Sequence, residues 1–152
     1  MKLICFIVVL LCVCLLYRGV VTAEEKSYIG SKACEECHAV EYAKFIEFAK
    51  KAASFESIRV MKSKLTDKEY RSCFECHTTG YGKPGGFVSE EKTPQLKNAG
   101  CEVCHGPGSL HAESGDPEDI IYDLSIDDCT ACHNSDRVDA FDFKPLLFGG
   151  AH

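Results

Sequence analysis

The 152-residue chain has no tryptophan, two methionines, five prolines and only six histidines. It also lacks basic runs: 17 Lys and Arg stand against 23 Asp and Glu, a formal charge of −6. Nucleic-acid backbones are gripped by clustered Lys and Arg, so that class of partner is set aside. The apolar run Leu3 to Leu16 is fourteen residues long, short of the roughly 20 that a bilayer-spanning helix requires. The length suits one domain. Against these scarcities stands one excess: eleven cysteines.

The beginning of the chain reads as a secretory signal peptide. Lys2 supplies a positive start, Leu3 to Leu16 an apolar stretch, and Val21-Thr22-Ala23 small residues before the acidic Glu24. This three-part layout predicts residues 1–23 as the signal and residues 24–152 as the working domain, exported to the periplasm or outside the cell. Membrane association is expected only if the segment stays uncleaved and runs past Arg18. Cleavage removes Cys5, Cys12 and Cys14 and leaves eight cysteines, in a compartment where disulfides persist.

Those eight fall into four pairs: Cys34/Cys37, Cys73/Cys76, Cys101/Cys104 and Cys129/Cys132. Each pair encloses two residues, and each is followed at once by histidine: His38, His77, His105 and His133. Cys-x-x-Cys-His is the attachment signature of c-type haem. Two thiols bond the porphyrin, and the adjacent imidazole reaches the iron from the same side. Zinc ribbons use paired cysteines too, and a disulfide framework uses eight equally well. Neither requires a histidine directly after every second cysteine. Four covalently bound haems, each with its iron, are therefore expected.

Histidine is then in short supply. Four serve as proximal ligands, leaving His111 and His152. Two histidines per iron would require eight, so at least two haems have a non-histidine sixth ligand or none. Homo-oligomers do not help, since each copy brings the same six; only a different partner protein could supply more. His111 lies six residues after His105, across Gly106-Pro107-Gly108-Ser109-Leu110. That segment reaches about 20 Å and would have to travel round a haem disc to its opposite face, so a neighbouring haem is the expected target. Lys51, Met61 and an amino terminus at Glu24 are further donors. The plainer roles are surface for Lys51 and a helical core position for Met61.

The scaffold reads as mainly α: a small multihaem cytochrome c fold, with short helices and loops packed around four stacked haems. Ala39 to about Lys64 has no Gly or Pro, and Tyr42, Phe45, Ala49 and Ala52 recur at helical spacing, which predicts one long helix. Thr66 with Glu69 reads as a capping box before the second motif. Thr93-Pro94 and Asp116-Pro117 read as helix starts, and Ser125 with Asp128 begins the turn carrying the fourth motif. Gly80 to Gly86 reads as a loop, followed by a short extended piece at Phe87-Val88. The motifs begin 39, 28 and 28 residues apart, so this is not a solenoid. With so few residues per cofactor, the haems must pack against one another. Phe45, Phe48, Phe55, Phe74, Tyr81, Phe141 and Phe143 are the expected filling between them.

Four segments together resemble the tetrahaem cytochrome c-554 type of multihaem c-type cytochromes. They are Tyr28-Ile29-Gly30; His77-Thr78-Thr79-Gly80-Tyr81 with Gly85-Gly86-Phe87; Gly100-Cys101-Glu102-Val103-Cys104-His105-Gly106-Pro107-Gly108-Ser109 with His111; and Cys132-His133-Asn134 with Phe141-Asp142-Phe143. The likeness extends over nearly all of residues 28–152, and the third-motif segment is its most specific part. It implies a mainly helical fold with closely stacked haems, and electron transfer of the kind associated with hydroxylamine oxidation in nitrifying bacteria. It also implies distal ligand roles for His111 and His152. The family usually places a further distal histidine in the first long helix, before a Phe-Glu pair. Here Phe55-Glu56 is present, but the matching position is Lys51. A family member with one five-coordinate haem fits a chain short of ligands.

Three functions follow as expectations. The first is an exported electron carrier between redox partner proteins, its acidic surface suited to a basic partner. The second is a subunit of an extracellular conductive filament, with His152 ligating a haem of the next subunit in a homo-oligomer. The third is a redox enzyme acting on a small nitrogen oxide at a five-coordinate haem. No catalytic side chain is assigned, because no acid–base group is left over beside the iron.

Overall fold

Every regular element in the described part of the chain, residues 25–134 of this computed structural model, is helical, and none exceeds ten residues. In chain order the α-helices are α1 (Ser31–Cys34), α2 (Ala39–Phe48), α3 (Ser54–Arg59), α4 (Asp67–Ser72), α5 (Phe74–His77), α6 (Cys101–His105), α7 (Ser109–Ser114) and α8 (Ile126–Thr130). Short 3₁₀ turns lie at Lys50–Ala53, Lys62–Lys64, Pro94–Leu96 and Pro117–Asp119. There is no strand among the described residues, and no helix there is long and apolar enough to cross a membrane. The segment 1–23, Glu24, Phe141, Phe143 and His152 lie outside the described residues.

The capping signals in the sequence correspond to real helix starts. The Glu69 amide donates to Thr66 Oγ1 at 3.3 Å while Glu69 Oε2 accepts from the Thr66 amide at 2.8 Å. Ser125 and Asp128 repeat this at α8. Two donors that no helix turn can satisfy are thereby paired reciprocally. Pro94 and Pro117 open 3₁₀ turns instead of full helices.

The single long helix expected over Ala39 to Lys64 is instead four short pieces. It breaks at Ala49, whose backbone is extended (φ −83°, ψ 111°). Tertiary hydrogen bonds take over the groups that a continuous helix would use. The Phe55 amide, which would bond the carbonyl four residues back, donates to Asn98 Oδ1 at 3.1 Å. Ser54 Oγ donates to the His77 carbonyl and accepts from the Ala99 amide, each at 2.9 Å. Absence of Gly and Pro permits a helix; it does not oblige one when side chains elsewhere compete for its ends. The apolar stripe survives the break, with Phe45 and Ala49 buried.

Phe55, Ile58, Tyr70, Phe74, Phe87 and Leu96 form one buried cluster. Phe74 is its hub, meeting Tyr70, Tyr81 and Phe87 edge-on at ring separations of 5.0, 5.3 and 5.3 Å, the arrangement aromatic quadrupoles favour. Phe48, expected among the filling, is 59% exposed, and Met61, expected in the core of a helix, is 43% exposed in a turn. The Gly80–Gly86 loop folds back on itself so closely that a Cβ at Gly86 would lie 1.7 Å from the Gly80 carbonyl oxygen. No strand follows it. Phe87 makes a single backbone bond, to the Thr79 carbonyl at 2.9 Å.

Candidate haem-binding motifs

Each motif is one α-helical turn. The histidine amide donates to the carbonyl of the first cysteine at 2.9 Å in the first motif, 3.1 Å in the second and 2.9 Å in the fourth. The third motif is α6 itself. Residues at positions i, i+3 and i+4 share one helix face. Two thiols and an imidazole are thus presented together, which is why the spacing and the directly following histidine matter. The eight thiols are free, with Cys37 exposed and the others half-buried.

The imidazoles are oriented from behind. His77 Nδ1 donates to the Ser54 carbonyl at 2.9 Å, and His105 Nδ1 to the Ile121 carbonyl at 2.7 Å. His111, outside any motif, donates Nδ1 to the Asp116 carbonyl at 2.8 Å. A carbonyl only accepts, so Nδ1 carries a proton in each of these rings, and in the neutral imidazole Nε2 then presents a lone pair. That is the tautomer a metal-ligating histidine needs, with the backing bond that fixes its ring. Paired thiols and Nε2-directed imidazoles on single turns fit covalent haem attachment.

The fold also brings distant motifs together. The first and third motifs meet where the Cys101 amide donates to Ser31 Oγ at 2.9 Å, and the nearness of the two thiols lowers Cys101 and raises Cys34. Burial, then the neighbouring Cys76 thiol, pushes Cys132 up to about 12. Cys104 acts electrostatically on both Cys129 and Cys132. The first motif thus adjoins the third, and the fourth lies within electrostatic reach of both the second and the third, which differs from their order in the chain.

His111 does not reach back to its own motif. Its ring faces that of His38 in the first motif, with centroids 6.1 Å apart and planes 24° from parallel. Lys51 is half-buried in the Lys50–Ala53 turn, and not fully solvated surface. Its charge reaches the fourth motif, where burial first and Lys51 second lower His133.

Sequence reasoning passed over Glu102. It lies between the cysteines of the third motif, is only 2% exposed, and accepts three backbone bonds. Oε1 takes the amides of Ile29 (3.0 Å) and Gly108 (2.9 Å), and Oε2 that of Gly30 (2.7 Å). Close by, Ser31 Oγ accepts from the Cys101 amide at 2.9 Å. A Cβ at Gly100 would lie 2.2 Å from that hydroxyl, so the glycine before the third motif is there for close approach. A charged residue on a short helix ordinarily faces solvent. The only sequence signal for burial was the run of small, hydrogen-bond-rich residues on either side.

Comparison with known proteins finds similar multihaem cytochromes. The model of the family described as cytochrome c554 and c-prime matches residues 33–106, which hold the first three motifs. Cytochrome c-554 of Nitrosomonas europaea is 34% identical over 104 residues, covering 61% of this chain and 44% of that protein. The multiheme cytochrome MtrC of Shewanella baltica is 27% identical over 123 residues, covering 67% of this chain and 18% of that protein. The chain thus spans less than half the length of either relative. The structure of reduced cytochrome c554 from Nitrosomonas europaea superposes with a TM-score of 0.52 at 25% identity, covering 72% of this chain and 66% of that one. Helical turns that each present two thiols and an imidazole, on a fold shared with that structure, make the chain similar to the cytochrome c554 type of multihaem cytochromes and suit it to covalently bound c-type haem as cofactor.

Proposed function

We propose that the chain is an exported tetrahaem electron carrier, passing electrons between redox partner proteins through haems packed within its small fold. The observation that carries this reading is the joining of motif to motif: the Cys101 amide donates to Ser31 Oγ at 2.9 Å, the Gly100 amide to Thr79 Oγ1 at 3.0 Å, and the ring of His111 lies beside that of His38 at 6.1 Å. Cofactors anchored on touching helical turns are held close enough to exchange electrons without a substrate pocket.

Each residue has a role in this proposal. Cys34, Cys37, Cys73, Cys76, Cys101, Cys104, Cys129 and Cys132 hold the four haems, and His38, His77, His105 and His133 are the proximal ligands. His111 is the distal ligand opposite His38. His152 serves one further iron, which leaves two irons without a distal histidine. Haem supplies reversible one-electron chemistry at its iron, at a potential set by axial ligands, burial and charge. The chain contributes ligand orientation through the Ser54, Asp116 and Ile121 carbonyls.

Charge is segregated along the chain in a way that suits directional docking. Residues 98–134 carry eight acidic side chains and no Lys or Arg, whereas residues 49–97 carry ten basic and six acidic ones. The acidic part, which holds the third and fourth motifs, fits a basic partner and gives salt-sensitive association.

The test mixes the reduced protein with a basic monohaem cytochrome c in a stopped-flow instrument. Fast electron exchange that slows at least tenfold from low to high salt is expected. Exchange that takes minutes, or that ignores salt, sinks the reading. Low-temperature electron paramagnetic resonance of the ferric protein, quantified against haem, measures the irons without a strong distal ligand.

A further inference from the structure

We propose that Glu102 is a positioning residue that sets the register between His38 and His111. The inference rests on the reading that these two histidines flank one iron. The two reach that place from far apart in sequence, and a buried carboxylate joins their supports from the inner side. Ile29 and Gly30, whose amides bond Glu102, lead directly into α1 and so to Cys34 and His38. Gly108, whose amide bonds the same carboxylate, is the residue before α7, which carries His111 one turn later. Glu102 itself belongs to α6, the third motif.

Neighbouring bonds reinforce the junction without replacing it. The Ser27 amide donates to Ser109 Oγ at 2.9 Å, and the Ser109 amide to the Ser27 carbonyl at 3.2 Å. These tie the same two segments at the more exposed edge. Among the described residues Glu102 alone bonds both segments from the buried side, and a carboxylate side chain has the acceptor capacity for three amide donors with none of its own to place. Its geometry therefore transmits directly to the separation of the two rings.

Removing that capacity predicts a local spectroscopic change. In Glu102→Gln, an NH₂ group replaces one acceptor oxygen and faces the amides it formerly bonded. The register should loosen, and His111 should withdraw from the first-motif iron. Holoprotein with four haems per chain, confirmed by pyridine haemochrome, would be compared with wild type and with His111→Ala. The expected result is that both variants convert about one haem in four from low-spin to high-spin in the ferric resonance spectrum. Each should also bind about one more carbon monoxide per chain when reduced. The other haem signals should stay unchanged, which a general loss of stability would not achieve.

If His111→Ala converts one haem and Glu102→Gln converts none, the positioning role is overturned while the ligand pairing stands. If His111→Ala itself changes nothing, the pairing fails and the proposal falls with it. Should Glu102→Gln not assemble its haems, Glu102→Asp keeps the charge but shortens the reach. Partial conversion of the same haem then supports the proposal, and a wild-type spectrum overturns it.

Discussion

The second motif and the pair formed by the first and third are held in place by different physics. The second rides on α5 in the apolar cluster of Phe55, Ile58, Tyr70, Phe74, Phe87 and Leu96. The first and third meet across a polar seam in which Glu102, Ser31, Ser27 and Ser109 bond backbone amides. Apolar burial is strong but non-directional. Hydrogen bonds add less net free energy but fix distance and angle. One region thus contributes non-directional burial, and the other sets the relative position of two histidines from different parts of the chain.

The largest separation of the two should come from the apolar side. Phe87 is buried against Phe55 and Phe74 at ring distances of 5.7 and 5.3 Å. Phe87→Ala should cost about 3–5 kcal/mol in a denaturant titration. Carbon monoxide stoichiometry should stay at the wild-type value, because the polar seam is untouched. A change in both quantities would show that the regions are not independent.

Ser54→Ala comes next and probes the link between the broken helix and the second motif. It deprives the His77 carbonyl and the Ala99 amide of one hydroxyl partner. A loss of about 1–3 kcal/mol is expected, the cost of leaving buried groups unpaired. A negligible change would mean that the helix break does not depend on this bond. Thr66→Ala removes only the cap of α4, and should cost about 0.5–2 kcal/mol with no shift in any haem signal.

The smallest effect is the response to acid. The Thr66 side chain, then its amide, holds Glu69 below its ordinary value of 4.5, and the Ser125 amide and hydroxyl hold Asp128 below 3.8. A carboxylate depressed in the folded state contributes stability above its unfolded value, and that contribution is lost as pH falls through the folded one. Both side chains are exposed, so only a slight extra decline below pH 4.5 is expected in circular dichroism. Thr66→Ala and Ser125→Ala should flatten it.

The two regions also differed in how far their sequence could be read. Capping boxes at Thr66 and Ser125, and the Cys-x-x-Cys-His turns, were legible because all their partners lie within four residues. Of the aromatics expected as filling between the haems, Phe45, Phe55 and Phe74 are buried and Phe48 is exposed. Continuity of the helix after Phe48 was not, because Asn98, Ala99 and His77 compete for its groups from up to 45 residues away. Glu102 was invisible for the same reason, as its partners at Ile29 and Gly30 lie 73 and 72 residues off.

What the sequence by itself determined is the chemistry: four haem-attachment turns, six histidines that cannot serve four irons twice over, and an acidic balance. These follow from residue type and local spacing, which the chain carries whatever its fold. Only the tertiary structure decided that the motifs adjoin out of sequence order, that His111 faces His38, and that a buried carboxylate joins the segments supporting them. Such relations depend on directional bonds between segments far apart in the chain, and no local pattern of residues encodes a distance of that kind.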